Sequence, residues 1–140
     1  MQESINVKWI NGISFEADVM GFKIPIDSDP EHGGQGKGPK PKLLMMVALA
    51  GCTGMDVISL MNKRRVPYKS LNVRVLGDIS EDYPKKFTRM KVVFEVSGKD
   101  IDMKKVEKAV KLSKEKYCGV SASYKSAMEL DYEIKLIESW

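Results

Sequence analysis

Apolar and polar positions alternate in short runs through the first 27 residues. Ile5, Val7 and Trp9, then Ile13, Phe15 and Ala17, then Phe22 to Ile26 carry the period-two pattern of strands with one apolar face. Asn11-Gly12 and Met20-Gly21 supply the turns of a three-strand meander. The alternation then stops. Residues 27–41 read DSDPEHGGQGKGPKP, so dense in Gly, Pro and Asp that the segment is expected to be a long, mobile surface loop. Its glycines lack the spacing and the G-K-[ST] ending of a phosphate-binding loop, and it is assigned no nucleotide role. From Pro41 to about Lys63 nearly every position is apolar or small. One long central helix is predicted, opened by Pro41 in its first turn and followed at its C-terminal end by Lys63, Arg64 and Arg65, which oppose the helix dipole.

Period two returns at Leu71, Val73 and Val75 and again at Thr88, Met90, Val92, Phe94 and Val96, with Glu81 to Pro84 as the hairpin connection. Asp100 or Asp102 caps a second helix in which Met103, Val106, Ala109, Val110 and Tyr117 recur at helical spacing. Gly119 interrupts it, a short helical piece follows over 121–127, and Met128, Leu130, Tyr132, Ile134 and Leu136 mark a last strand. The predicted fold is α+β in the order βββ-α-ββ-αα-β, one domain over 1–140, with the long central helix packed against antiparallel sheets. The apolar surface of that helix exceeds what one half-wet sheet can cover, so a partner subunit is expected.

Composition narrows the class. With 140 residues, 43% of them hydrophobic and 30% charged, the chain lies in the soluble globular range and outside that of disordered chains. Residues 43–61 are long and apolar enough to raise the question of a membrane span. Asp56 within them, and their Met, Ala, Gly, Thr and Ser content, favour a buried core helix, and no membrane partner is expected. The net charge of +4 is uneven, with five lysines against seven acids in residues 1–60 and the basic surplus beyond. Because the lysines alternate with acids and no basic run is interleaved with aromatics, no nucleic-acid partner is expected either. The N-terminal MQESINVKWI has neither the positive region nor the apolar stretch of a secretory signal, and a cytoplasmic, reducing location is expected.

Two cysteines remain to be explained. Cys52 sits mid-helix in LAGCTGMDV between Gly51 and Gly54, which cost helix propensity and mark close approach or access. Cys118 lies where the second helix breaks, in EKYCGVSAS, with Lys114, Glu115, Lys116 and Ser121 within a turn; nearby ammonium groups favour a thiolate. Spacing alone leaves open whether the two are reactive or small core hydrophobes. With the single His32 in the loop, Cys52 and Asp56 are the one ligand pair at helical spacing, and neither a metal nor a cofactor is expected. Asp56 beside Cys52 orients a thiol but opposes its ionisation; its bland alternative is a buried carboxylate satisfied by a Ser or the backbone.

The run GPKPKLLMMVALAGCTGMDVISLMNKRR, followed two strands later by VEKAVKLSKEKYCGVSAS, resembles the OsmC/Ohr family in its small OsmC-like branch, over roughly residues 5–137. That resemblance implies an intertwined homodimer in which two central helices pack together. It also implies a thiol peroxidase, with Cys52 as the reactive cysteine, Cys118 as the resolving one, and a dithiol, often of lipoyl type, as reductant. It further implies an Arg from the N-terminal strands and a Glu near the start of the long helix. Here the matching Glu positions hold Lys42 and Leu43, and no Arg precedes Arg64. Arg64 is about 18 Å and Lys42 about 15 Å along a helix from Cys52, so Lys42, Lys114 and Glu115 stand as supporting candidates.

The leading expectation is a thiol-dependent peroxidase acting on organic hydroperoxides, with hydrogen peroxide as a second substrate. The alternatives are a non-catalytic redox sensor or small-molecule binder on the same fold, and a structural protein with inert thiols.

Overall fold

The structure is a computed structural model describing residues 1–137. Six strands and three α-helices follow the expected order: β1 (Asn6–Asn11), β2 (Ser14–Val19), β3 (Phe22–Ile26), α1 (Leu44–Lys63), β4 (Tyr68–Ile79), β5 (Phe87–Gly98), α2 (Met103–Leu112), α3 (Gly119–Tyr124) and β6 (Glu129–Ile137). The chain divides into two compact units, the first Met1–Met45 and the second from Met46 onward.

In the first unit β1, β2 and β3 form an antiparallel meander. The first turn falls on Gly12 and Ile13 and not on Asn11-Gly12, because Asn11 still pairs with Ser14. Gly12 adopts φ +53° there, a left-handed conformation that costs glycine little. The segment after β3 closes around Asp27. Its carboxylate accepts from the Ser14 hydroxyl at 2.6 Å and from the backbone N–H groups of Ser28, Gln35 and Lys37, while its own N–H donates to Pro39. These donors, the Ser14 hydroxyl foremost, hold the Asp27 carboxyl below its ordinary range. A depressed folded-state pKa contributes stability that is present above the unfolded value, about 3.9, and is lost as pH falls through the lower folded value. Amide exchange at Gln35 and Lys37 is therefore expected to stay slow down to that value and to accelerate below it.

The second unit is a sheet in the order β4-β5-β6 with its helices. β4 and β5 form the expected antiparallel hairpin, but β6 runs parallel to β5, which corrects the expectation of wholly antiparallel sheets. The cause is the crossover through α2 and α3, which carries the chain back before β6 begins. Asp102 caps α2, its carboxylate accepting from the Lys104 N–H. The core comprises Leu49, Val57 and Met61 of α1, Met90, Val92, Phe94 and Val96 of β5, and Val106 and Ala109 of α2, all fully buried. Gly54 lies against Val73 of β4, so a side chain there would press on the sheet.

Each unit leaves apolar surface bare. All of β1 is exposed, with Trp9 at 60% and Phe22 of β3 at 72%. A 3-10 turn at Pro41–Leu43 leads into α1, and together they form a stretch long and apolar enough to cross a membrane by length and composition, with only 17% of its most apolar window buried. Along α1, Val47, Gly51 and Met55 make an exposed stripe opposite the buried Leu49, Thr53, Val57 and Met61.

Candidate functional site

The two cysteines meet. Cys52 is carried by the middle of α1, and Cys118 ends an irregular turn after α2, yet their sulfurs lie 2.9 Å apart and both thiols are free. The approach depends on how α2 ends. Residues Ser113–Tyr117 wind as a single π-type turn closed by the Cys118 N–H donating to the Ser113 carbonyl at 2.8 Å. Such a turn inserts one residue into the helical ladder and re-aims the residues beyond it. Ser113 is buried, and its hydroxyl also donates to the Asp56 carboxylate at 2.9 Å, tying the end of α2 to α1 one turn beyond Cys52.

Cys118 then caps α3, its sulfur accepting the Ser121 N–H at 3.3 Å. The Val120 backbone N–H acts on the Cys52 sulfur, favouring its ionised form. The first turn of α3 thus points one backbone donor at each sulfur, in the place where a side-chain cation was expected. The Ser121 hydroxyl pairs with the Tyr132 hydroxyl at 2.9 Å, and the Tyr132 ring stacks on the buried Phe94, anchoring α3 to β6.

Electrostatics work against ionisation. Burial pushes the Cys52 thiol up, the neighbouring Cys118 adds to the rise, Asp56 adds further, and the Val120 N–H alone opposes them. Tyr124 and Tyr132 are raised as well, by burial first and then by the sulfurs. Cys52 is partly exposed whereas Cys118 is 3% exposed. The alkylation rate of Cys52 is therefore expected to keep climbing through pH 7–8, about tenfold per unit while the thiol dominates, with no plateau near neutrality. Asp56→Asn removes one of the charges that raise the thiol and is expected to speed alkylation at pH 7 by about two- to fivefold. Rates with iodoacetamide across pH check both.

The supporting candidates separate. Lys114 places its ammonium 5.1 Å over the Tyr132 ring, and with Glu115 it lines a cavity of about 370 Å³ shared with Ser121, Lys125, Leu130 and Tyr132. Lys116 lies over the Tyr117 ring, away from that cavity. Lys42 belongs to the 3-10 turn ahead of α1. Asp56 opens onto a second cleft, of about 240 Å³, with Ser59, Leu60, Lys63 and Tyr117. Sequence reasoning placed Ser121 within a turn of Cys118 without giving it a role, and passed over Ser113, Val120 and Tyr132 as site residues. Ser113 and Ser121 act through one hydrogen bond each from side chain and backbone, and Val120 through its backbone alone, so residue type carries no signal for it.

Residues 34–133 match the sequence model of the OsmC-like protein family. Protein YhfA of Escherichia coli (strain K12) is 31% identical over 132 residues, covering 94% of this chain and 96% of YhfA. A crystal structure of a hypothetical protein from Aquifex aeolicus VF5 superposes with a TM-score of 0.86 at 26% identity, covering 100% of this chain and 99% of that one. An organic hydroperoxide resistance protein OsmC from Legionella pneumophila shares the fold, with a TM-score of 0.68 at 15% identity over 96% of this chain and 97% of its own. With a family model matched over most of its length and a relative 31% identical over 94% of it, the chain belongs to the OsmC-like family.

Proposed function

We propose that this protein is a thiol-dependent peroxidase that reduces organic hydroperoxides through Cys52 and Cys118. The observation that carries this reading is the 2.9 Å approach of two free thiols held on separate elements, with a backbone N–H aimed at each sulfur. The partly exposed Cys52 thiolate attacks the terminal peroxide oxygen and the O–O bond breaks. The alkoxide takes a proton and leaves as alcohol, and Cys52 becomes a sulfenic acid. The Cys118 thiolate displaces hydroxide from that sulfur, releasing water and forming a disulfide. A sulfur–sulfur bond is about 2.05 Å long, so closure needs a shift of only about 1 Å. A dithiol, the lipoyl type among them, then reduces the disulfide by exchange and is itself oxidised, which suits a reducing, cytoplasmic setting.

The active form is a homodimer in which a second copy covers the Val47, Gly51 and Met55 stripe of α1. A side chain at Gly51 meets nothing within 4 Å in its own chain, so the glycine there serves close approach from outside it.

The alternative, a redox sensor, draws on the raised Cys52 pKa, since a thiol held protonated reacts slowly. Following cumene hydroperoxide with dihydrolipoamide as reductant tests the peroxidase. Sustained consumption that depends on Cys52 supports it. Oxidation of both thiols without turnover makes the protein a sensor.

A further inference from the structure

The Cys52 and Cys118 sulfurs and an Asp56 carboxylate oxygen all lie within 4.8 Å of one another. Two cysteines and a carboxylate from two stretches of chain, α1 and the turn after α2, converge on one point, and the carboxylate is already oriented by the Ser113 hydroxyl at 2.9 Å. Asp56 also faces the cleft it shares with Lys63 and Tyr117, a route to solvent. We propose that in its reduced state this protein binds one zinc-class divalent cation through Cys52, Cys118 and Asp56, with water from the cleft as the fourth ligand.

The geometry suits this cation. Tetrahedral zinc, with Zn–S of about 2.3 Å and Zn–O of about 2.1 Å, sets its ligand atoms about 3.6–3.8 Å apart. The Asp56 oxygen already lies within reach, and the sulfurs need to open by about 1 Å from 2.9 Å. The Cys118 turn is irregular where α1 is a continuous helix, so the opening falls on that turn and not on the body of α1. Two thiolates select thiophilic ions over magnesium or calcium, and a ligating carboxylate fixed by a serine hydroxyl is the outer-shell support such sites use. Asp56 has no evident use in peroxide chemistry, where it disfavours the thiolate; as a ligand, it completes the site.

Binding releases two thiol protons as the cation enters, and charge is conserved. A two-electron oxidant such as a diazene dicarboxamide takes the two electrons of the thiolates and two protons, becoming the hydrazine. The sulfurs join as a disulfide and the cation leaves. Metal binding and disulfide formation therefore exclude each other, which makes the site a redox-coupled metal switch. The proposal does not rest on turnover of peroxides.

Cobalt(II), a spectroscopic substitute for zinc, tests it in the full-length, fully reduced protein without oxygen or peroxide. The expected result is a sulfur-to-cobalt charge-transfer band that saturates at about one cobalt per chain and is abolished by zinc, the tighter-binding ion. Prior oxidation with diamide is expected to remove it. Cys52→Ser and Cys118→Ser should each weaken binding by about 100-fold or more, and the isosteric Asp56→Asn by about tenfold. Thermal melts of the metal-free variants establish that they are folded. Absence of the band from the reduced wild type overturns the proposal, as does equal cobalt affinity in folded Asp56→Asn or a band that survives diamide. Peroxide consumption is measured separately, so either reading can fail while the other stands.

Discussion

Cys52→Ser is expected to abolish reductant-dependent peroxide consumption, by about 1000-fold or more, while Cys118→Ser leaves one turnover intact and blocks the next. The asymmetry follows from the geometry. Cys52 is partly exposed and Cys118 is 3% exposed, so in the proposed reaction Cys52 is the sulfur expected to meet peroxide and Cys118 the one expected to resolve it. A serine at 52 keeps the volume and the Val120 N–H partner but supplies no nucleophile at neutral pH. A serine at 118 removes the group that expels hydroxide from the sulfenic acid, which then persists and is open to trapping by dimedone. Stopped-flow consumption of cumene hydroperoxide and mass spectrometry of the dimedone adduct separate the cases: a stoichiometric burst with an adduct at Cys52 is expected for Cys118→Ser, and neither for Cys52→Ser. The reverse pattern would exchange the two roles.

The second large effect concerns assembly. Val47 is 63% and Met55 75% exposed, and they lie on either side of Gly51 on the bare stripe of α1. Exposed apolar residues at helical spacing around a glycine form a surface suited to another helix. Placing a carboxylate there leaves the single chain nearly undisturbed, because the position is solvated, but buries an unpaired charge in a dimer. Met55→Glu is expected to weaken self-association by about 100-fold or more, equivalent to about 3 kcal/mol, with little change in secondary structure. Light scattering after size exclusion reads the result. Wild type should elute as a dimer at micromolar concentration and the variant should shift toward monomer. A wild type that is monomeric throughout removes the need for a second copy.

The elements were legible because each carries its own period. The β4 and β5 alternation, the Asp102 cap and the apolar run of α1 all correspond to structure within a few residues. The direction of β6 was not, since strand alternation reads the same in parallel and antiparallel pairs and only the crossover decides. The thiol pair shows the same division. Cys52 stood out between two glycines and Cys118 at a helix break, but 66 residues separate them, so spacing could not join them; the family resemblance did. The surroundings of the sulfurs were hidden for a different reason. The expected cation was sought among side chains, and the structure offers the backbone N–H groups of Val120 and Ser121, which leave no mark in residue type. Lys114 is near but engages Tyr132. Asp56 and Ser113 form the serine-satisfied carboxylate foreseen as the bland alternative, and the same pair brings a ligand oxygen toward the sulfurs.

The most direct test of the thiol chemistry is a single stoichiometric pulse of cumene hydroperoxide on fully reduced protein, followed by thiol titration and peptide mapping. Peroxide reduction through Cys52 and Cys118 predicts the loss of about two thiols per chain, recovered on adding dihydrolipoamide, and a peptide pair linked through the two cysteines. Two thiols still titrating after the pulse, or a sulfinic acid at Cys52 with Cys118 free, would contradict it.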